Sequence, residues 1–261
     1  MRTRIFQVDA FTTQRFGGNP AAVMPLKSFP DEELMQAIAA ENNLSETAYL
    51  VREGSDYRIR WFTPAAEVPL CGHATLASAA VVLERLEPAR EAVTFHSASG
   101  PLNVRRVAGG YCMDFPARPA AATATPSGMV QALGAKPVEV LANDFNYLVV
   151  LEGEQVVRRL TPDLTRVAAL DRAGLIVTAA AAPPYDFVSR YFAPAKGVPE
   201  DPVTGSAHCA LAPFWAQRLQ RRTLRAFQAS RRGGELLCRL VGDRVELEGA
   251  CVFYLEGEAE I

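Results

Sequence analysis

Alternation of apolar and polar residues runs along much of the chain and predicts a protein built mainly from strands. The segments RIFQVDAF (4–11), ETAYLVRE (46–53) and YRIRWFTP (57–64) alternate with the two-residue period of a half-buried strand. Helical spacing of apolar residues appears in fewer places, at 30–43 and 74–86, and again after a glycine at 205. Strands with few helices among them indicate an α+β fold. Further predicted strands are NYLVVLE, GLIVTAAAA, YDFVSRYFAP, ELLCRLV and RVELEGACVFYL.

A proline-rich stretch near the middle of the chain is the best candidate for a linker. Residues 116–127, PARPAAATATPS, carry three prolines and little that could pack into a core. We therefore predict two domains, at 1–117 and 118–261, with the option that the last strand returns to the first domain.

An internal repeat supports two similar halves. RWFTPAAEVP (60–69) and RYFAPAKGVP (190–199) coincide at six of ten positions. After a three-residue insertion, GHATLASAAVVLERL (72–86) aligns with GSAHCALAPFWAQRL (205–219). Each copy reads as a strand, a loop with proline, a glycine and a helix, so we expect two domains related by a pseudo-two-fold axis. Pro213 lies inside the second helix and is expected to kink or end it.

Both helix starts suggest an anion site. Each offers free backbone N–H groups and a positive dipole end, and the glycine at each start lets a ligand approach closely. The segment DPVTGS (201–206) has more capping-type groups than one helix needs, which suggests that some face a ligand. The alternative is an ordinary helix start, where one group caps and the others pack or face water.

Several titratable or polar groups near these starts have a functional and a structural interpretation. Glu46 is either a partly desolvated proton carrier or a surface carboxylate paired with a base. His73 is a proton carrier or a satisfied histidine at a helix start. Cys71 is an acid/base thiol, if the helix dipole lowers its pKa, or a small buried hydrophobe. Asp201 orients a partner or caps the helix. Asn19 binds ligand or serves the turn in the Gly–Gly–Asn–Pro loop.

Composition and charge exclude several classes of function. The formal net charge of -2 and pI of about 6.0 give no reason to expect nucleic acid, and no run of 18 apolar residues could span a membrane. We interpret the basic stretch at 218–232 as a solvated helix end and loop. We expect no secretory signal, because the basic start MRTRIFQVDAF lacks an apolar segment and alternates as a strand does, and the five scattered cysteines predict reduced thiols in the cytoplasm. Without metal-ligand spacing, a P-loop or GxGxxG, we expect no metal and no cofactor.

Five motifs together resemble the PhzF family of phenazine-biosynthesis-like proteins. They are VDAFTTQRFGGNPAAV, LSETAYL, RWFTPAAEVPLCGHATLASA, MDFPARP and DPVTGSAHCAL, and they cover essentially the whole chain in order. The resemblance implies the diaminopimelate epimerase fold, in which two α+β domains each wrap a curved sheet around a central helix and the active site lies between them. It also implies a homodimer.

The resemblance further implies a cofactor-independent isomerase that shifts a proton on carbon of a small carboxylate-bearing substrate. The expected acid/base is Glu of the SET motif. Related epimerases use two cysteines, and Thr204 stands at the second of these positions, which puts a two-thiol mechanism in doubt. The predicted catalytic residues are Glu46, His73, Asp201 and Ser206, and the predicted substrate-binding residues are Asn19, Cys71, Gly72, Thr204 and Gly205.

Two other functions stay open on the sequence. One is an amino-acid racemase or epimerase that uses one thiol and one carboxylate. The other is a non-catalytic ligand-binding or scaffold member of the same fold, although a pure binding protein has no need of a proton carrier.

Overall fold

Strand pairing and packing separate the chain into two units. A computed structural model describes residues 2–261. The first unit contains the chain up to Asp114 together with Glu248–Ile261, and the second is Phe115–Leu247. The observed border lies close to the predicted one at residue 117, and the last strand is grouped with the first unit.

The first unit is a mixed sheet in which antiparallel and parallel pairs alternate. In spatial order, β1 pairs antiparallel with β2, β2 parallel with β3, β3 antiparallel with β4, β4 parallel with β6, and β6 antiparallel with β7. The final strand pairs antiparallel with β1, and β8 with β7. The strands are β1 (Arg2–Ala10), β2 (Asn19–Leu26), β3 (Glu46–Glu53), β4 (Asp56–Phe62), β5 (Glu67–Val68), β6 (Ala92–Ser97), β7 (Gly100–Val107), β8 (Gly110–Pro116) and β18 (Cys251–Glu260).

A small-residue helix, α2 (Gly72–Val81), fills the centre of this unit. Every residue from His73 to Val81 is buried, and the helix packs against strands on several sides, among them β1, β2 and β3. Its alanines let the surrounding strands approach closely, and a helix that is apolar all round is one that the core encloses. A π-helical turn, Val82–Leu86, continues it. The other helix, α1 (Glu32–Asn42), buries only Met35 and Ala39.

The second unit repeats the same alternation of strand pairs. β10 pairs antiparallel with β11, β11 parallel with β12, β12 antiparallel with β13, β13 parallel with β15, and β15 antiparallel with β16. The internal repeat predicted from the sequence is therefore also a repeat of topology. The strands are β9 (Ala121–Ala122), β10 (Glu139–Ala142), β11 (Asn146–Val150), β12 (Gly174–Ala180), β13 (Phe187–Ala193), β14 (Val198–Asp201), β15 (Thr223–Gln228), β16 (Gly234–Val241) and β17 (Arg244–Gly249).

The second unit also has a central helix, and of the two outcomes expected at its proline, a kink or an end, the end does not occur. Helix α6 (Gly205–Leu219) runs through Pro213 without interruption. A proline cannot donate to the carbonyl four residues earlier, which here belongs to Cys209. The Arg118 N–H donates to that carbonyl instead, at 2.9 Å, so the acceptor that the proline leaves is satisfied. The short helices α3 (Met129–Leu133), α4 (Glu154–Arg159) and α5 (Leu164–Ala168) also belong to this unit.

The sequence suggested that the basic stretch at 218–232 is a solvated helix end and loop, but part of it is a strand. It contains strand β15, in which Leu224, Ala226 and Gln228 are buried while Thr223 and Arg225 are exposed. Arg225, the one charged residue within the strand, occupies an outward position of a two-residue period, and the arginines on either side of the strand hide that period. The linker candidate at 116–127 is mostly exposed but contributes the two-residue strand β9. Among the described residues, no helix is long and apolar enough to cross a membrane.

Candidate active site

Glu46 is held at the start of a buried strand. Helix α1 ends at Asn43, whose left-handed backbone turns the chain toward β3. Glu46 is the first residue of β3 and lies beside Ala21 of the parallel strand β2. Its side chain is 16% exposed. The structure thus places the carboxylate in a partly desolvated position, as the functional interpretation expected, and pairs it with a histidine.

That histidine is His73, the second residue of α2. Its side chain is 4% exposed, and Nε2 lies 3.0 Å from Oε2 of Glu46. The approach is close, but its angle is not that of a hydrogen bond, and both atoms are buried without a hydrogen-bond partner among residues 2–261. Two neighbouring buried atoms without a hydrogen-bond partner are unusual, because most buried polar groups in proteins have one.

The other ring nitrogen of His73 faces a polar network. Nδ1 lies 3.1 Å from Nδ2 of Asn19 and 3.5 Å from Sγ of Cys71. The Ser45 hydroxyl donates to Oδ1 of Asn19 at 2.8 Å. Ser45 was not predicted as a site residue, and only its place beside Glu46 in the SET motif could have suggested it.

The turn interpretation of Asn19 is wrong. The loop ends at Gly18, and Asn19 is fully buried as the first residue of β2, opposite Ala10 of β1. Gly18 has φ +61°, and a Cβ there would lie 2.1 Å from the carbonyl oxygen of Ala10. Only glycine fits this close approach, which brings the strand, and with it the Asn19 amide, up to the histidine.

Electrostatics distinguish the histidine from the cysteine. Burial disfavours the imidazolium, but the proximity of Cys71 and Glu46 outweighs it and holds the pKa of His73 well above its usual value. Burial, reinforced by the Glu46 charge, raises the pKa of the Cys71 thiol to about 11. Cys71 is therefore a neutral thiol near pH 7, because burial outweighs the lowering of its pKa by the backbone at the start of α2. Because the thiol is neutral, Glu46 is the anion that favours protonation of His73 at that pH.

The same three side chains could offer donor atoms to a metal ion. Glu46, Cys71 and His73 each present one ligand atom, and all three lie within 4.8 Å of one another. A metal would bind the thiolate, so it would have to displace the proton that Cys71 carries in the metal-free site. The expectation of no metal stays a prediction.

In the second unit, the residues before α6 form a network rather than a helix cap. The hydroxyl of Thr204 donates to Oδ2 of Asp201 at 2.6 Å, and its N–H donates to Oε1 of Gln228 at 2.8 Å. Nε2 of Gln228 donates to the Asp201 carbonyl at 2.8 Å. The surplus of capping-type groups in DPVTGS is therefore explained in part by this bracing. The sequence analysis missed Gln228, whose only signal is a polar residue at an inward position of β15.

The starts of α2 and α6 share one feature. Their N-cap residues, Cys71 and Thr204, are extended, and neither side chain accepts a hydrogen bond from its own helix. Gly72 and Gly205 are the first helical residues, and Ser206, next in α6, is exposed. First-turn N–H groups that lack a side-chain cap are the arrangement that binds carboxylate or phosphate.

His208 is a structural histidine rather than part of this chemistry. Its Nδ1–H donates to the Thr204 carbonyl at 2.8 Å. Thr75, the aligned residue of the first repeat, donates its hydroxyl to the Cys71 carbonyl at 2.6 Å in the same way. Burial lowers the pKa of His208 to about 4, so it is neutral at physiological pH.

The predicted site residues thus form two groups, one within each unit. The structure brings together Asn19, Glu46, Cys71 and His73 in the first, and Asp201, Thr204, Gly205 and Ser206 in the second. The catalytic and binding roles of these residues stay predictions.

Comparison with known proteins places the chain in a family. Residues 8–257 match the family model of PhzC-PhzF, described as phenazine biosynthesis-like protein. The chain belongs to this family. A PhzF relative in Pseudomonas aeruginosa, 51% identical over 261 residues and 100% of both chains, is named an uncharacterized isomerase. That name agrees with the predicted class of enzyme, an isomerase.

Solved structures confirm the fold. A PhzF family protein of Enterococcus faecalis covers 100% of both chains with a TM-score of 0.96 and 44% identity. A hydroxyproline epimerase of Agrobacterium vitis covers 98% of this chain and 92% of its own, with a TM-score of 0.63 at 11% identity. The predicted α+β, epimerase-like fold is confirmed, and the second likeness concerns the fold alone.

Proposed function

We propose that the protein is a cofactor-independent isomerase that moves a proton on carbon of a small carboxylate-bearing substrate, with Glu46 as the acid/base. The observation that carries the proposal is the pair of buried atoms, Glu46 Oε2 and His73 Nε2, which lie 3.0 Å apart without hydrogen-bond partners. A substrate bound at this point would give both atoms a partner.

The surroundings suit proton transfer to and from carbon. Glu46 takes a proton from carbon and returns it at another position, while His73 stabilises the carboxylate by facing its oxygen. The uncapped first turn of α2 supplies N–H groups for the substrate carboxylate and for the negative charge that develops on deprotonation. The substrate must offer a conjugated double bond or a carbonyl, since unactivated carbon loses a proton slowly.

The second group of residues enters the proposal through the family resemblance. Asp201 and Ser206 assist by hydrogen bonding, and Gly205 offers an N–H to the substrate. Their contribution is tested separately, with Asp201→Asn and Ser206→Ala, from that of Glu46. A homodimer and a cytoplasmic location stay predictions.

Proton exchange in deuterated water tests the proposal. Wild type and Glu46→Gln are incubated with a panel of small unsaturated and amino carboxylic acids, and deuterium entering carbon is followed by NMR. We expect exchange that Glu46→Gln lowers by about 100-fold or more, the scale of a lost general acid/base. Glu53→Gln, at the exposed end of the same strand, is the matched control and should exchange as wild type does. Equal exchange by wild type and Glu46→Gln would refute the role of Glu46.

A racemase or epimerase with one thiol is the second candidate, and the position of Cys71 favours it. Its Sγ lies 3.5 Å from Nδ1 of His73, within the same cluster. Cys71→Ser separates the two functions, because it should abolish racemisation yet barely alter isomerisation driven by Glu46. The raised pKa of the thiol favours the isomerase. Binding without exchange across the panel would favour the non-catalytic member of the fold.

A further inference from the structure

The side chain of Asn19 is enclosed between Ser45 and His73. It is fully buried, with Oδ1 accepting from the Ser45 hydroxyl at 2.8 Å and Nδ2 3.1 Å from Nδ1 of His73. A residue so placed orients its neighbours, which differs from the substrate-binding role predicted for it.

We infer that Asn19, oriented by Ser45, is a positioning residue that keeps the proton of neutral His73 on Nε2, the nitrogen facing Glu46. The inference rests on the proposed function only for its catalytic consequence. An amide nitrogen can only donate, so Nδ1 of the ring must accept, and the single proton of the neutral ring then belongs to Nε2.

The opposite side of the ring leads to the same tautomer. If Nδ1 carried the proton, Nε2 would be a second acceptor only 3.0 Å from a carboxylate oxygen. Two acceptors at that distance repel, whereas an Nε2–H is attracted to the oxygen. Cys71 also agrees, because a neutral thiol 3.5 Å from Nδ1 is a weak donor to it.

The tautomer has a consequence for the proposed reaction. With the proton on Nε2, His73 offers Glu46 a donor that steadies the carboxylate before it takes a proton. The charged or titratable groups that face the ring are Glu46 and Cys71, of which Glu46 favours the imidazolium. The Asn19 N–H opposes it, since protonation at Nδ1 would set two N–H groups against each other.

Imidazole ¹⁵N NMR of the full-length protein tests the inference without any substrate. The chain has three histidines, so three ring systems appear. His208, whose Nδ1 contacts a backbone carbonyl, is the internal reference for the opposite tautomer. On the alkaline side of its titration, wild-type His73 should show a protonated Nε2 and a pyridine-type Nδ1. A neutral His73 with its proton on Nδ1 would overturn the inference.

Variants extend the test. In Asn19→Asp the side chain can only accept once ionised, so the proton should move to Nδ1 and the titration of His73 should shift upward by about 1–3 pH units. Ser45→Ala releases the amide and should give a mixture of both tautomers. Asn103→Asp, exposed on β7, is the matched control and should leave His73 unchanged. An unchanged tautomer in both Asn19→Asp and Ser45→Ala would overturn the inference.

The outcome is separable from that of the proposed function. If wild-type His73 has the expected tautomer but no compound exchanges, the proposed function fails and the role of Asn19 stands. If exchange depends on Glu46 but the tautomer is the opposite one, the role of Asn19 fails. Should Asn19→Asp not fold, the wild-type spectrum and Ser45→Ala still decide.

Discussion

Gly18 should tolerate alanine far less than Gly54 does, although the two glycines have nearly the same backbone conformation. Their φ angles are +61° and +62°. An alanine at either position adopts the left-handed region, which costs about 1 kcal/mol. At Gly18 the new Cβ would also lie 2.1 Å from the Ala10 carbonyl oxygen, whereas at Gly54 it meets nothing within 4 Å. The backbone must move to relieve this contact, and the movement costs about 1–3 kcal/mol more.

Urea unfolding measures the difference. Each unit has one tryptophan, Trp61 in the first and Trp215 in the second. In a Trp215→Phe background, tryptophan fluorescence therefore reports on the first unit alone. We expect Gly54→Ala to lower the free energy of unfolding by about 1 kcal/mol and Gly18→Ala by about 2–4 kcal/mol. Equal losses in the two variants would refute the argument, because the left-handed backbone is common to both positions and the steric contact is not. In the proton-exchange assay, Gly18→Ala should also be slower than Gly54→Ala, since the displaced strand carries Asn19.

Two further predictions concern the second unit. Gln228→Met removes the acceptor of the buried Thr204 N–H and one hydrogen bond to the Asp201 carbonyl, and it should cost about 2–4 kcal/mol of unfolding free energy in a Trp61→Phe background. The exposed Gln217→Met should change stability by less than about 0.5 kcal/mol. A small effect of Gln228→Met would contradict the bracing role. Because burial lowers the folded-state pKa of His208 to about 4, the unfolded chain binds the proton first on acidification, so stability from this group is present above about pH 6.5 and lost as the pH falls toward 4. Between pH 7 and pH 4, this contribution to the free energy of unfolding should fall by about 3 kcal/mol in wild type and should be absent in His208→Gln. Equal pH dependence of the unfolding free energy in both proteins would count against the prediction.

The sequence predicted most of the strands because their alternation is local. Strand β3 begins and ends at the predicted residues, Glu46 and Glu53. Strand β15 was missed because arginines surround a short period of buried residues. Helix α6 does not end at Pro213, where the missing hydrogen bond is replaced by one from a donor far along the chain, Arg118, and nothing in the local pattern indicates that donor.

The site residues that could be predicted from the sequence are likewise those marked by local motifs, while those defined by distant contacts could not. Glu46 and His73 were predicted from motifs, and the structure brings their side chains together. The turn alternative for Asn19 failed because Gly–Gly–Asn–Pro has the composition of a turn, while pairing with β1 draws the asparagine into a strand. Ser45 and Gln228 act only through partners that are distant in the chain, so their roles could not be read from their neighbours in sequence.

The two halves use one frame for different chemistry. In each, a strand, a short partner strand and a glycine lead into a buried helix, and the residue four positions after the N-cap donates to the N-cap carbonyl, Thr75 in one copy and His208 in the other. At the N-cap and the second helical residue, the first copy has a neutral thiol and a histidine, and the second has a hydroxyl and an exposed serine. Because the first copy places a titratable ring beside a carboxylate, we expect the proposed proton transfer to take place in that half. The second half, whose N-cap hydroxyl is already donated to Asp201, is suited to binding and orientation.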